Sequence, residues 1–168
     1  MKWSKLLYDI AWAFAVAMVL RLVFGALLGT SFPFVAVMSS SMTHDGYAIQ
    51  NYYVWMQDHG FSREQLQEFP FPNGFDKGDA LIIASPENAG VGDVVVYVNP
   101  HVGYAIIHRV INMTADGYIT KGDRNPAPDP WVVRRAWVKG KAVFLIPLLG
   151  WIHVLPSDIL RSVASLLS

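Results

Sequence analysis

Residues 104–112 read YAIIHRVIN, and the architecture turns on this run. A side-chain period of two puts Ile106, His108 and Val110 on one face and Ile107 and Arg109 on the other, the pattern of a β-strand. Four more runs share its character: LIIA at 81–84, DVVVYV at 93–98, YIT at 118–120 and WVVRRAWV at 131–138. Each is bounded by Gly, Pro or Asp, as strands are. Asp116-Gly117 between two of these runs predicts a hairpin with a type I′ turn. The body of the chain is therefore expected to be mainly β.

Both flanks are different. Ile10 to Gly29 is twenty residues with one charge, Arg21, the length a helix needs to cross hydrocarbon. Arg21 costs about 2.5–3.5 kcal/mol on insertion scales unless it snorkels or finds a partner. Lys2 and Lys5 ahead of the span favour a cytoplasmic N-terminus with the rest outside. A cleavable signal peptide is the rival reading of MKWSK plus an apolar run, set against the length of the stretch and Asp9 at its start. At the other end, Pro147, Gly150 and Pro156 are expected to break the tail into short pieces. Ile159, Leu160, Val163, Leu166 and Leu167 share one helical face, which suits an interfacial helix better than a second crossing. The expected organisation is an anchor at 1–30, a β-rich domain at 31–142 and a membrane-associated segment at 143–168. Residues 45–75 read as an aromatic insertion, with Ser62 capping a short helix through SREQLQEF before Pro70 and Pro72.

Composition narrows the function. The chain of 168 residues is 53% hydrophobic and 15% charged, which points to a membrane-associated protein of one domain plus an appendage. Formal charge is zero and there is no block of like charge, so the electrostatic footprint for nucleic acid is missing. With no cysteine, disulfides and thiolate-held metal are excluded. His59, His101 and His153 show no ligand spacing, so neither metal nor cofactor is expected. Trp3, Trp12, Trp55 and Trp151 read as core or membrane-interface anchors. Asn112-Met113-Thr114 matches a glycosylation triplet.

Three hydroxyls stand in a row in VMSSSM at 37–42. A serine needs a neighbouring base to become a nucleophile. The candidates are Lys77, Lys121, Lys139 and Lys141 and the histidines at 44, 59, 101, 108 and 153. His108 stands out because a strand holds an imidazole in one orientation, and an imidazole base wants a carboxylate on its far nitrogen. TKGDRNPAPDP at 120–130 offers Asp123 and Asp129 in a stiff Gly/Pro-rich loop. Taken singly, a serine cluster is an ordinary turn feature and a strand histidine is usually structural.

Read in order, the anchor, VMSSSM, FDKGDALII, VGDVVVY, IIHRVI, KGDRNPAPD and VKGKAVFLIPLLG resemble the type I signal peptidases, in particular their archaeal and endoplasmic-reticulum branch. Each box is weak alone; their joint order is specific, and it covers most of the chain outside residues 44–74. The resemblance implies a signal-peptidase-like, LexA-like β-fold with an N-terminal transmembrane helix and a C-terminal apolar helical tail. It makes Ser41, the serine directly before Met42, the nucleophile. It makes His108 the base where the bacterial branch carries lysine, Asp129 the acidic partner and Asp123 a second acid that helps position the site. Ser39 with the Ser41 backbone N–H falls at the oxyanion hole, and Ser40 points away. One departure is Thr43-His44, where family members commonly carry Pro two residues after the Met; His44 also stands as a competing base.

The implied activity is a membrane-bound serine endopeptidase that removes signal peptides from exported preproteins, single-pass in the cell membrane with its catalytic domain outside. Its partners are then preprotein signal peptides and the lipid bilayer, with the translocation machinery a further candidate. Only about twelve residues separate Gly29 from Ser41, a reach of roughly 40 Å, so the nucleophile works near the bilayer. A substrate adding a strand beside PFVAVM at 33–38 would meet apolar pockets built with Val35, Val37 and Met42. Three alternatives compete. A LexA-like self-cleaving peptidase wants a lysine base and a DNA-binding domain, neither visible here. A non-peptidase serine hydrolase wants a G-x-S-x-G elbow, which is absent. A catalytically inactive, anchored β-domain that binds a secretion partner is the non-enzyme reading.

Overall fold

The computed structural model describes residues 3–166. Lys2 and Leu167, which carry part of the orientation and tail expectations, lie outside the described residues, as do the side chains of Val163 and Leu166. The expected span is a single helix, α1, from Trp3 to Leu28, with none of its residues buried against the body. Its 26 residues make about 39 Å at 1.5 Å each, enough for a hydrocarbon core of about 30 Å. The helix stops because Gly29 turns left-handed at φ 64°. Thr30 N–H then closes back on Gly25 O at 3.1 Å, the six-to-one bond of a Schellman cap. Arg21 reaches over the end of the helix and donates to Ser31 O at 3.3 Å, so its head lies toward the body.

The body is one seven-stranded antiparallel sheet: β1 (Phe34–Ala36), β2 (Ala80–Ala84), β3 (Val94–Val98), β4 (Ala105–Thr114), β5 (Gly117–Lys121), β6 (Val133–Arg134) and β7 (Val138–Ile146). The spatial order is β1-β2-β7-β3-β4-β5-β6. VVVYV of β3 is continuously apolar because it is buried on both faces. Val94 and Val96 join one core with Leu81, Ile83, Met42 and Phe75. Val95 and Tyr97 join the other with Val110, Tyr118 and Val133. Register shifts at Ile82/Ile83, Val96/Tyr97 and Val110/Asn112 add the local twist that bends the sheet around these cores.

Four of the strands lie where the sequence pattern put them, and the differences have physical causes. WVVRRAWV at 131–138 is not one strand: only Val133 and Arg134 pair, and Arg135–Trp137 form a 3₁₀ turn. That leaves both arginines exposed and Val133 buried. β7 then runs through residue 142 to Ile146, so residues 143–146 belong to the sheet rather than to a tail. The β4–β5 hairpin forms, but neither Ala115 nor Asp116 has positive φ, so its turn is not type I′. β1 is too short to show a period. Pro156 does not break the C-terminal segment: helix α4 runs from Trp151 to Leu166 through it.

Within the insertion, α2 (Gly46–Asp58) precedes α3 (Arg63–Glu68). Ser62 caps α3 with a complete capping box, as its spacing to Gln65 predicts. Tyr52, Met56 and Leu66 form a small core of their own against Phe69 and Ile111, which seats the insertion on β4.

Candidate active site

Past Ala36 the chain leaves the sheet edge and turns through the three serines. The segment is pinned on both sides. Ser41 O accepts from Arg124 N–H at 2.8 Å, and Met42 O accepts from Phe75 N–H at 3.1 Å. Met42 is buried in the first core, so it acts as a plug that holds the preceding residue at the surface. Ser41 is half-buried, and its Oγ lies 3.3 Å from Ser39 Oγ. Its backbone N–H makes no hydrogen bond among the described residues. Ser40 is exposed.

β4 presents His108 on the face its alternation assigned. The side chain is 9% exposed, and Nδ1 lies 2.8 and 3.0 Å from the two carboxylate oxygens of Asp129. Asp129 Oδ2 also accepts from Thr120 Oγ1 and from Tyr97 OH, and Trp131 Nε1 donates to that same phenol oxygen. Burial raises the Asp129 pKa, but the His108 hydrogen bond and charge, with the two hydroxyls, bring it below the usual carboxylate range. An ionised carboxylate can only accept, so Nδ1 carries the proton. In the neutral ring this leaves the lone pair on Nε2, the tautomer a general base requires. Nε2 lies against Gly122, where a Cβ would stand 2.9 Å from it and 2.8 Å from the Asn125 amide.

Asp123 has different partners. It is bonded by Arg109 Nε at 2.9 Å and NH2 at 2.7 Å, and by His44 Nε2 at 2.9 Å. Burial raises its pKa, but the Arg109 charge and the His44 hydrogen bond override this and lower it. Arg109 is fully buried and also bonds the carbonyls of Pro70, Phe71 and Gly92. The Arg109 face of β4 is thus a structural hub, opposite the His108 face.

Ser39, Ser41, Met42, His108 and Asp129 line one cleft of about 760 Å³, walled by Val35 and Val37 on one side and Tyr104 to Ile107 on the other. Among the described residues, no hydrogen bond joins Ser41 to His108, although they share this cleft. Of the lysines and histidines weighed from sequence, only His108 and His153 line it. Lys77 pairs with Asp158 and Lys141 with Asp93. Lys121 is buried, and burial lowers its pKa to about 8. Its ammonium donates to Gly122 O and Asp123 O rather than facing the cleft. His44 is tied to Asp123 and does not line the cleft.

Sequence reasoning missed four contributors. Thr120 and Tyr97 hold Asp129, and both were visible only as strand residues. Gly122 makes room for the imidazole, and the pair Gly122-Asp123 reads as an ordinary turn. His153, which shows no ligand spacing in the sequence, comes from α4 to the cleft wall.

A hydroxyl, an imidazole in the accepting tautomer and an ionised acid beside an apolar cleft form a set suited to nucleophilic acyl transfer. No family model matches the chain. It is similar to the signal peptidase complex catalytic subunit SEC11 of Ogataea parapolymorpha, 29% identical over 107 residues. The similarity points to the signal peptidase family. The match covers half of this chain and 61% of that relative's length. The exposed N-terminal apolar helix is compatible with membrane anchoring.

Proposed function

We propose that the protein is a membrane-bound serine endopeptidase that removes signal peptides from exported preproteins. The observation that carries this reading is the His108–Asp129 pair, with Nδ1 2.8 Å from Asp129 Oδ2, in the same cleft as Ser41. Ser41 Oγ attacks the scissile carbonyl while His108 takes its proton and passes it to the leaving amine. Asp129 stabilises the imidazolium. The Ser41 N–H and the Ser39 hydroxyl receive the oxyanion. Water, activated by the same imidazole, releases the acyl-enzyme.

The substrate class follows from the cleft. β1 is an edge strand, paired only with β2, so its outer edge offers backbone groups to an extended peptide. Val35, Val37 and Met42 leave shallow apolar room for small side chains. The anchor at 1–30 holds the β-domain at the bilayer, where the apolar region of a signal peptide ends. Residues after Ile146 follow as a membrane-associated segment: Leu148, Leu149, Ile152, Leu155 and Ile159 are all exposed apolar side chains. Orientation with Lys2 and Lys5 inside puts the cleft on the extracytoplasmic face.

The test is cleavage of a preprotein in detergent by the full chain. Ser41→Ala and His108→Ala are each expected to abolish product while leaving the thermal melt unchanged. Full cleavage by either variant would refute the reading. A partner-binding domain without activity would give no product from the wild type and no reaction with a serine-directed phosphonate.

A further inference from the structure

His44 is attached to the catalytic segment but takes no part in the chemistry above. Its side chain is 1% exposed. The ring packs against Tyr52 at 4.6 Å between centroids. It also packs against Gly74, where a Cβ would come within 2.8 Å of it and within 2.3 Å of Met42 O. Gly74 has φ 67°, so the position suits glycine twice over: by backbone and by space. Asp123 is ionised, so the ring nitrogen facing it, Nε2, carries the proton. The other nitrogen, Nδ1, is buried without a partner. The ring is therefore oriented by its bond to Asp123 and by its packing on Tyr52 and Gly74.

The loop that receives His44 touches both halves of the site. Gly122 abuts His108 Nε2, Asp123 holds His44, and Arg124 N–H holds Ser41 O. Asp123 N–H also points at Met42 Sδ, 3.4 Å away. Three consecutive residues therefore space the base from the nucleophile, and His44–Asp123 is a buried side-chain link between that spacer and the Ser41 segment, beside the two contacts made by the backbone of Asp123 and Arg124. Asp123 is in turn fixed by the bidentate Arg109, whose other donors reach the insertion and the start of β3.

We propose that His44 is a positioning residue: its Nε2–H···Asp123 bond sets the distance between Ser41 Oγ and His108 Nε2. This rests on the reading of Ser41 as nucleophile. A shift of about 1 Å between reacting groups can cost on the order of 100-fold in rate, so the effect belongs in kcat and not in substrate binding.

The experiment compares His44→Met and His44→Gln in the detergent-solubilised full chain, reading kcat, KM and the rate of Ser41 phosphonylation by a serine-directed phosphonate. Met fills the space without a donor; the Gln amide can still donate to Asp123. His44→Met is expected to lower kcat and the phosphonylation rate by about 10- to 100-fold with KM unchanged. His44→Gln is expected to recover most of that loss. Wild-type kcat in His44→Met, or a His44→Gln as slow as His44→Met, would overturn the proposal. Should His44→Met give no cooperative melt, His44→Asn, whose shorter amide falls short of Asp123, replaces it under the same criteria. Ser41→Ala is run alongside: full activity there would sink the nucleophile assignment itself, whatever the His44 variants do.

Discussion

The His108 imidazole and the Asp129 carboxylate meet at 2.8 Å, whereas Asp123, six residues earlier, meets Arg109 at 2.7 Å on the opposite face of β4. The loop from Lys121 to Pro130 thus delivers one acid to each side of a single strand. Two aspartates that look equivalent in sequence are given different work by the two-residue period of β4.

Substitution of each acid separates these roles. Asp129→Asn keeps the shape but presents an amide to Nδ1 and favours the wrong tautomer, so kcat is expected to fall on the order of 10³- to 10⁴-fold with little loss of stability. Asp123→Asn strips the counter-charge from a fully buried Arg109 and is expected to cost about 3–5 kcal/mol of stability. Paired kinetics and urea denaturation read both. Equal losses of kcat from two equally stable variants would contradict the division.

Gly122→Ala tests the room left for the base. The added methyl meets His108 Nε2 and the Asn125 amide, and the backbone there needs no left-handed conformation. The imidazole must shift, so kcat is expected to fall by about 10- to 100-fold, while overpacking costs about 1–3 kcal/mol. A variant with wild-type kcat would show that the proposed base does not sit against this glycine during turnover.

Ser39→Ala removes the hydroxyl proposed as an oxyanion donor. The expected loss is about 2.7–4 kcal/mol of transition-state stabilisation, read as kcat with KM nearly constant. A rise in KM alone would assign Ser39 to substrate binding instead.

Stability should rise with pH in two separate windows. Asp123 and Asp129 have lowered pKa values in the fold, so the unfolded chain takes up protons first on acidification. Their contribution is complete above the ordinary carboxylate value of about 4 and is lost as pH falls through the folded values. Lys121 has the same sign for a different reason, a burial penalty on its charge that deprotonation relieves: its pKa is lowered from 10.5 to about 8, so between those values the unfolded chain holds more protons and stability rises with pH. Denaturation of wild type and Lys121→Met across this range is expected to show the wild type gaining relative to the variant. Parallel curves would mean that Lys121 titrates normally.

Much of this arrangement was legible from local pattern. The period of YAIIHRVIN put His108 and Arg109 on opposite faces, DVVVYV read as a strand, and the apolar run from Ile10 to Gly29 read as a helix long enough to cross a membrane. What was not legible depends on contacts distant in sequence. Nothing near Thr120 or Tyr97 announces that their hydroxyls meet on Asp129. WVVRRAWV carries strand propensity, but Arg134 and Arg135 stay in solvent and Arg135–Trp137 turn as a 3₁₀ helix, so only two residues pair. Pro156 reads as a breaker, yet α4 holds through it, docked by Trp151 over Gly78 and by the Lys77–Asp158 pair.

The most direct measurement is mass spectrometry of the detergent-solubilised chain after reaction with a serine-directed phosphonate, with His108→Ala treated in parallel. A single adduct on Ser41 in the wild type, lost in His108→Ala, is the expected result. Modification of Ser39 or Ser40 instead, or labelling of Ser41 that is indifferent to His108, would contradict the assignment of these residues as nucleophile and base.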